Sequence, residues 1–333
     1  IADFKTENKS FKSEDIRAVV GASVQSSLDT HELKNEIKVL RKGDAQISLD
    51  EFGHSSWVKK DETVYVPPFL GTKIFECSLG QIFEFLDEFA LIRSRWSFTQ
   101  GNQTDEVFKK VLEEKAYPVL SKLKNELLSN DLLKPRAIYG YFPVNSLENK
   151  IIIYASDVSE NTPKYERKII GEFEFPRQTS GRRLCIADFY KHVDSGVLDY
   201  MGVQIVTLGH EFSKLTAKLY DATQFTDYYF LHGMGTELTE AFAEYLHKKI
   251  REELGIHKRD AKNIRQLFSQ GYQGSRYSFG YPACPAMEPN ELLLKLLEAE
   301  RIGVTLSESY QMDPELSTSA IVCAHRQARY FSC

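Results

Sequence analysis

Apolar residues recur three and four positions apart in several stretches of the chain, which is the spacing of one helix face. In the first stretch the apolar positions are Leu79, Ile82, Phe83, Leu86, Phe89 and Ala90. The same spacing predicts further helices over 107–128, 211–222, 236–254 and 290–301. Gly255 and Gly303 come just after the last two, where a helix C-terminus often needs a residue with positive φ. The chain is therefore rich in amphipathic helices that cover a core.

Runs of β-branched and aromatic residues predict strands between these helices. Residues 137–142 form one such run, which we expect Pro143 to end, and 150–156 form a second. Further strands are predicted over 184–189, 200–208 and 319–323. Because strands and helices do not alternate strictly, we expect an α+β fold with a mostly antiparallel twisted sheet and surrounding helices.

The first 62 residues differ in texture from the rest of the chain. Residues 5–14 are polar and charged, and 28–41 read as a charged helix that Gly43 interrupts. The prolines after Val66 mark the next boundary, because proline restrains the residue before it. We interpret 1–62 as a linker or peripheral arm and 63–333 as one large domain.

Composition excludes several classes of protein. The 333 residues are 42% hydrophobic and 12% aromatic, enough for a sizeable core, which excludes a disordered or collagen-like chain. Lys and Arg total 42 against 47 Asp and Glu, so the basic surplus of a nucleic-acid-binding protein is missing. No run approaches the roughly 20 apolar residues of a membrane span. The five dispersed cysteines indicate reduced thiols and a cytoplasmic protein, and the start at Ile1 indicates a fragment or a processed product.

The familiar catalytic signatures are missing from the sequence. It contains no GxGxxG after a strand and no GxxxxGK[ST], HExxH or GxSxG. A cluster of possible ligands, made up of His232, Glu237, Glu240, Glu244 and His247, raises the hypothesis of a metal site, and the last three share one helix face. However, Glu244 is also spaced to pair with Lys248, so we interpret this face as an ordinary solvated one and predict no metal.

Residues 271–285 form the segment best suited to binding a ligand. Three glycines and two prolines there fix an irregular backbone, and Arg276 lies among aromatic residues. Such a loop can present backbone groups to a planar ligand while the guanidinium binds a carboxylate or phosphate. A surface loop whose aromatic residues fill the core would have the same composition, so both interpretations stay open at this point.

The same loop carries a family resemblance. Arg276-Tyr-Ser-Phe-Gly-Tyr-Pro-Ala-Cys-Pro285 resembles the RxxxGYPxCP signature of the activation domain of cobalamin-dependent methionine synthase. Collinear segments resemble other parts of that domain, and residues 15–21 resemble the end of the cobalamin-binding domain that precedes it. These collinear segments are 69–75, 85–87, 238–247, 300–309, 317–321 and 328–331.

The resemblance implies a role in repair of the cobalamin cofactor. Such domains bind S-adenosylmethionine, which supplies a methyl group, while flavodoxin or a related flavoprotein supplies one electron to cob(II)alamin. The cobalamin would be carried by a partner domain, because the DxHxxG motif is absent: the segment that begins at Asp29 has Lys34 in place of the glycine. The chain would thus be the activation part of a methyltransferase and catalytically incomplete alone, with no nucleic-acid or membrane partner.

The resemblance also assigns residues to the groups of the ligand. Arg276 would bind the carboxylate, Asp87 the ammonium, and Glu240 would be a second acidic residue near the site. Ser278 and its neighbours would offer backbone groups to adenine. Tyr330 would solvate the sulfonium.

Two departures from the family pattern keep alternatives open. Phe331, the last predicted binding residue, stands where some members have Tyr, and residues 88–92 differ from the family's usual segment after Asp87. Asp87 could therefore simply cap a helix. The chain as a whole could be a partner-docking module that has lost its ligand. An independent methyltransferase is disfavoured, because no Gly-rich strand-to-helix loop is present.

Overall fold

Seven strands form one antiparallel sheet at the centre of the domain, so the predicted α+β class is confirmed. The structure is a computed structural model that describes residues 47–60, 63–129 and 133–333. The strand order is β4-β3-β2-β5-β9-β6, with β1 beside β2, and β7 pairs separately with β8. In chain order the described strands are β1 (Gly71–Phe75), β2 (Arg136–Leu147), β3 (Lys150–Tyr154), β4 (Ile169–Glu174), β5 (Asp199–Thr207), β6 (Ser275–Tyr277), β7 (Thr305–Leu306), β8 (Met312–Asp313) and β9 (Ser317–Cys323).

The prediction that Pro143 ends a strand is wrong, since β2 continues through it to Leu147. On one side, β2 pairs with β1 up to Tyr141 and with β3 from Val144 onward. Pro143 falls in the gap between these two partners. A residue without an N–H is tolerated at a position where the strand lacks a neighbour on one side.

The helices surround the sheet, mostly where the apolar spacing predicts them. Those of the described residues are α1 (Leu79–Phe83), α2 (Glu88–Ala90), α3 (Asp105–Val111), α4 (Tyr117–Ser129), α5 (His210–Asp221), α6 (Phe225–Glu253), α7 (Ile264–Phe268) and α8 (Asn290–Leu297). A π-helical turn over Leu112–Ala116 joins α3 to α4. Pro118, two residues after the end of this turn, lacks the N–H that would donate to it.

The helix α6 begins eleven residues before the predicted start at 236. The sequence did not predict this extension because Gly233 and Gly235 lie in it, and glycine is a poor helix former. Both allow close packing: a Cβ at Gly235 would overlap the ring of Phe212 and lie 2.6 Å from Leu316 Cδ1. Tertiary contact therefore overrides local preference, and Gly255 with φ +70° follows the end of the helix as predicted.

Two other local predictions are corrected by the structure. The apolar stretch that begins at Leu79 is not one helix: α1 ends at Phe83, α2 begins after Asp87, and the Phe89 side chain that should face the core is 62% exposed. Residues 184–189 form a 3-10 turn over Ile186–Phe189 rather than a strand. There the Asp188 carboxylate accepts from Cys185 N at 2.9 Å, a local bond that competes with strand pairing.

The two faces of the sheet carry separate cores. Alternate residues of β2 divide between them, with Ile138 on one face and Tyr139 on the other. The face of Ile138 is covered by α8, the 3-10 turn and the loop after β6. The face of Tyr139 is covered chiefly by α6, α1 and α4. We call the core on the Ile138 side the first core. The edge strand β6 thus has α6 against one of its faces and the first core against the other.

The described part of the N-terminal arm packs on the domain. His54 hydrogen-bonds Ser146 Oγ at 3.1 Å, and Ser55 Oγ donates to Arg182 O at 2.5 Å. The charged helix predicted over 28–41 and the segment 15–21 lie outside the described residues. Among the described residues no helix is both long and apolar enough to cross a membrane, and none of the five cysteines is in a disulfide.

Candidate ligand-binding site

Arg276 lies at the middle of β6, at the edge of the sheet. Because strand residues alternate between faces, its side chain points to α6 while that of Tyr277 enters the first core. Arg276 Nη2 is 3.3 Å from Glu240 Oε2 and 3.8 Å from Glu244 Oε2. Nη1 is enclosed by protein and has no hydrogen-bond acceptor within the described part of the chain. A buried donor without an acceptor is rare, so the guanidinium is not fully satisfied by these groups.

The interpretation of Glu244 as part of a solvated helix face is wrong. Its side chain is buried, and Oε1 accepts from Arg251 Nη1 at 3.2 Å instead of pairing with Lys248. Arg251 is itself fully buried, and its Nε donates to both carboxylate oxygens of Asp260 at 3.2 and 3.0 Å. Its guanidinium also lies 4.0 Å from the centre of the Tyr272 ring. Four charged side chains thus lead from Asp260 through Arg251 and Glu244 to Arg276.

A second buried ion pair is formed by Glu237, which lies about two turns before Glu244 on α6. Arg95 Nε donates to Glu237 Oε2 at 3.2 Å. Burial raises the pKa of Glu237 from its ordinary 4.5 to about 7, with Arg95 opposing the shift and Glu240 and Asp87 adding to it. The pKa of Tyr281 is also raised, first by the charge of Glu240 and then by burial. The negative charge of Glu240 and, to a smaller extent, that of Asp87 thus both favour the protonated form of Glu237.

Asp87 is the N-cap of α2. Its Oδ1 accepts from Phe89 N and from Ala90 N, both at 3.0 Å, which fixes the carboxylate where two orphan backbone donors meet. In the described part of the chain, its Oδ2 makes no hydrogen bond. The two hypotheses for this residue are therefore compatible: one oxygen caps the helix, and the other remains for a ligand.

Ser278 and Tyr330 lie on two segments that are tied together. Tyr277 Oη donates to Arg329 O at 2.9 Å, which links β6 to the chain just before Tyr330. The backbone N of Tyr330 donates to Gln270 Oε1 at 3.1 Å. Ser278 O accepts from Cys284 Sγ at 2.9 Å, which closes the loop on itself. Both residues are half-buried, and the Tyr330 side chain packs against the core that contains Tyr277 and Phe331.

Phe331 is a core residue. Its side chain is 4% exposed, and its ring centroid is 5.9 Å from that of Tyr277 and 6.3 Å from that of Phe189. It lies on the opposite face of the sheet from the Arg276 guanidinium. Any contact of Phe331 with a ligand would therefore come from its backbone rather than its ring.

The structure thus brings Arg276 directly to Glu240, whereas within the described residues it shows no contact between Asp87 and Arg276. Sequence reasoning weighed Glu237 and Glu244 only as possible metal ligands, and it assigned neither them nor Arg95 to the ligand site. A signal was present, because glutamates at 237, 240 and 244 are three and four residues apart and share one helix face. Nothing in the sequence indicated which arginines would meet them. The described residues contain no group of three or more His, Cys, Asp or Glu side chains that could hold a metal ion.

This arrangement is suited to a ligand that carries both charges. A guanidinium binds a carboxylate through paired N–H donors, and the nearby carboxylates of Asp87 and Glu240 can accept from an ammonium. The fold and the site together define an α+β domain with a group of charged side chains from α6 and β6 at one sheet edge.

Comparison with known proteins identifies the family. Residues 81–333 match the family described as vitamin B12 dependent methionine synthase, activation domain, and the chain belongs to it. It is 36% identical over 296 residues to the methionine synthase of Mycobacterium tuberculosis (strain ATCC 25618 / H37Rv), covering 85% of this chain and 24% of that protein. It is 35% identical over 316 residues to the methionine synthase of Mycobacterium leprae (strain TN), covering 91% of this chain and 26% of that one.

A solved structure agrees with the family assignment. The crystal structure of the MetH reactivation domain bound to AdoHcy superposes with a TM-score of 0.72 at 27% sequence identity. The match covers 81% of this chain and 83% of that one. The sequence resemblance and the fold it implied are thereby confirmed. The chain spans about a quarter of the length of the two mycobacterial relatives.

Proposed function

We propose that this chain binds S-adenosylmethionine and supports the reductive methylation of cob(II)alamin held by a cobalamin-binding domain of methionine synthase. The family membership and the AdoHcy-bound structural neighbour support this proposal, since AdoHcy is what S-adenosylmethionine becomes after it gives up its methyl group. The single observation that carries it is Arg276, placed at the sheet edge with one guanidinium nitrogen lacking an acceptor within the described residues.

The predicted binding residues match the groups of such a ligand. Arg276 would hold the carboxylate, while Asp87 and Glu240 would accept from the ammonium. Ser278, in the loop that follows β6, would offer backbone groups to adenine. The Tyr330 side chain would solvate the sulfonium, and Phe331 would contribute its backbone while its ring anchors the segment in the core.

The work of the chain in this proposal is positioning. The ligand supplies a methyl cation to reduced cobalamin, formed from cob(II)alamin by one electron from flavodoxin or a related flavoprotein, and leaves as S-adenosylhomocysteine. The chain's own residues hold the two charged ends of the amino-acid tail, which fixes the direction of the sulfonium. Because neither methyl transfer from a sulfonium nor electron transfer removes a proton, no general base is required. Residues 63–333 form the binding domain in this proposal, and 1–62 the arm leading from the cobalamin-binding domain.

Calorimetry tests the proposal. The parent chain is titrated with S-adenosylmethionine and with methylthioadenosine, which lacks the amino-acid tail. Arg276→Ala should weaken S-adenosylmethionine binding by about ten- to a hundredfold, the loss of a charge-assisted hydrogen bond, and leave methylthioadenosine binding nearly unchanged. Arg301→Ala is the matched control, because Arg301 is an exposed arginine that pairs with Glu298 at 2.8 Å.

Two results would contradict the proposal. If Arg276→Ala bound S-adenosylmethionine as tightly as the parent, the carboxylate assignment would be wrong. If the parent gave no heat with either ligand but still captured the cobalamin-binding domain in a pull-down, the chain would be a docking module without a ligand.

A further inference from the structure

We propose that Glu244 is a positioning residue that holds the Arg276 guanidinium in place for the ligand carboxylate. This inference rests on the proposed function and deepens it, because Glu244 is not among the residues that would touch the ligand. Its side chain is buried, whereas that of Glu240, the other carboxylate beside Arg276, is 32% exposed. The two carboxylates therefore have different roles at the same guanidinium.

Buried neighbours hold the carboxylate of Glu244, the inner of the two beside Arg276, in a fixed position. Glu244 Oε1 accepts from Arg251, while its Oε2 faces Arg276 Nη2 at 3.8 Å. Arg251 cannot easily move, because Asp260 holds its Nε and the Tyr272 ring packs against its plane. Tyr272 is in turn packed against His247, with ring centroids 5.0 Å apart. The position of Glu244 is thus fixed by buried neighbours.

The carboxylate of Glu240, the outer of the two, can give up its place at Arg276 to a ligand carboxylate. Glu240 reaches solvent and holds Arg276 Nη2 at 3.3 Å, so a ligand carboxylate arriving from outside competes with it for the guanidinium. When that happens, Glu240 is released to accept from the ligand ammonium, and Glu244 remains behind Arg276. A long arginine side chain left without an inner partner would lose rotamer freedom each time it bound the ligand. Because Glu244 already orders the Arg276 side chain in the folded protein, this entropy is lost during folding and not on binding, so Arg276 is preorganised.

A merely structural role for Glu244 predicts a different result from a positioning role. A structural residue would affect all ligands equally through the stability of the fold. A residue that acts through Arg276 affects only ligands that carry a carboxylate. The comparison of S-adenosylmethionine with methylthioadenosine, both titrated into the full chain by calorimetry, separates the two roles.

Glu244→Gln keeps the volume of the side chain and an acceptor for Arg251 but removes its charge. We expect this variant to bind S-adenosylmethionine about tenfold more weakly and methylthioadenosine within about twofold of the parent. Glu244→Asp retains the charge and should recover part of the lost affinity. Glu253→Gln is the matched control, because Glu253 lies on the same helix and accepts from Tyr139 and Tyr141, both at 2.8 Å, far from Arg276. It should bind both ligands as the parent does.

Equal weakening of both ligands in Glu244→Gln, or unchanged binding of both, would overturn the inference while leaving the proposed function in place. If Glu244→Gln does not fold, Glu244→Asp is tested by the same comparison of the two ligands. Its shorter carboxylate should weaken the binding of S-adenosylmethionine and leave that of methylthioadenosine unchanged. Failure of the parent to bind either ligand is a distinct result, which overturns the proposed function and this inference with it.

Discussion

Arg276 and Tyr277 are adjacent in β6, yet their side chains serve opposite faces of the sheet. The guanidinium of Arg276 meets the carboxylates of α6, whereas the hydroxyl of Tyr277 donates to Arg329 O on the other side. One three-residue strand therefore connects the proposed carboxylate site to the segment that carries Tyr330. The position of Tyr330 therefore depends on the packing of Tyr277, the residue next to Arg276.

Tyr277→Phe tests that connection. The variant keeps the ring in the core but leaves the Arg329 carbonyl without its donor, so we expect the free energy of unfolding to fall by about 0.5–1.5 kcal/mol. Binding of S-adenosylmethionine should weaken as well, because residues 329–331 are no longer tied to β6. Urea unfolding and calorimetry measure the two effects.

Tyr190→Phe is the control for this prediction. Tyr190 is a buried tyrosine of the same core, and its hydroxyl donates to Val322 O at 3.3 Å. Its loss should lower stability without changing ligand affinity. If both variants weakened binding equally, the effect would be one of general stability rather than of the link to residues 329–331.

The sequence predicted the sheet and most helices because these depend on periodic burial. The strand at 200–208 and the helix at 211–222 are confirmed to within a residue or two. The failures share a physical cause, in that a tertiary contact decided the local structure. Close approach to Phe212 let α6 run through Gly235, and the Arg177–Asp188 ion pair at 2.7 Å holds a 3-10 turn where a strand was expected.

The binding site could be predicted only in part, for a similar reason. The resemblance named Arg276 and Glu240, and the structure brings them to 3.3 Å. It could not reveal the buried partners, because Arg95 is 142 residues away from Glu237 in sequence and meets α6 only in the folded chain. Glu244 shows the difficulty most clearly: helical spacing favoured Lys248, and tertiary packing gave it Arg251 instead.

The pH dependence of stability should report on Glu237. Burial raises the pKa of this carboxyl to about 7 in the folded protein, against 4.5 ordinarily, so the folded state holds a proton that the unfolded state loses. The resulting contribution to stability is fully present below about pH 4.5 and is lost as the pH rises through about 7. Urea unfolding of the parent at several pH values across this window measures it.

Glu237→Gln removes the titrating group while keeping an acceptor for Arg95, which donates to it at 3.2 Å. We expect the difference in unfolding free energy between variant and parent to move in favour of the variant as the pH rises from about 4.5 to 7. A difference that stays constant with pH would show that Glu237 is ionised in the folded protein throughout this range.

Gly235→Ala should destabilise the protein by about 1–3 kcal/mol, because the added methyl group overlaps the Phe212 ring and Leu316 where α6 packs on α5 and β9. Gly80→Ala is the matched control: it is also in a helix, and its added Cβ would meet only Ser78 Oγ, at 3.8 Å. Alanine is the better helix former by about 1 kcal/mol, so the control should be neutral or stabilising. Thermal unfolding of the two variants compares them, and a Gly235→Ala variant as stable as Gly80→Ala would show that close packing against Phe212 and Leu316 does not require glycine at this position.

Asp87 offers a direct separation of helix capping from ligand binding. Asparagine is as good an N-cap as aspartate, since its side-chain oxygen can accept from Phe89 N and Ala90 N in the same way. Asp87→Asn should therefore leave the free energy of unfolding nearly unchanged, whereas Asp87→Ala should lower it by about 1 kcal/mol. The loss of charge is common to both variants.

If Asp87 Oδ2 accepts from the ligand ammonium, both variants should bind S-adenosylmethionine about tenfold more weakly than the parent, while methylthioadenosine, which has no ammonium, binds equally to all three. If Asp87 is only a cap, Asp87→Asn binds both ligands as the parent does. Any loss of ligand affinity in Asp87→Ala then comes from its lower free energy of unfolding. The asparagine variant is thus the decisive one, because it changes the charge at the site without changing the geometry of the helix that presents it.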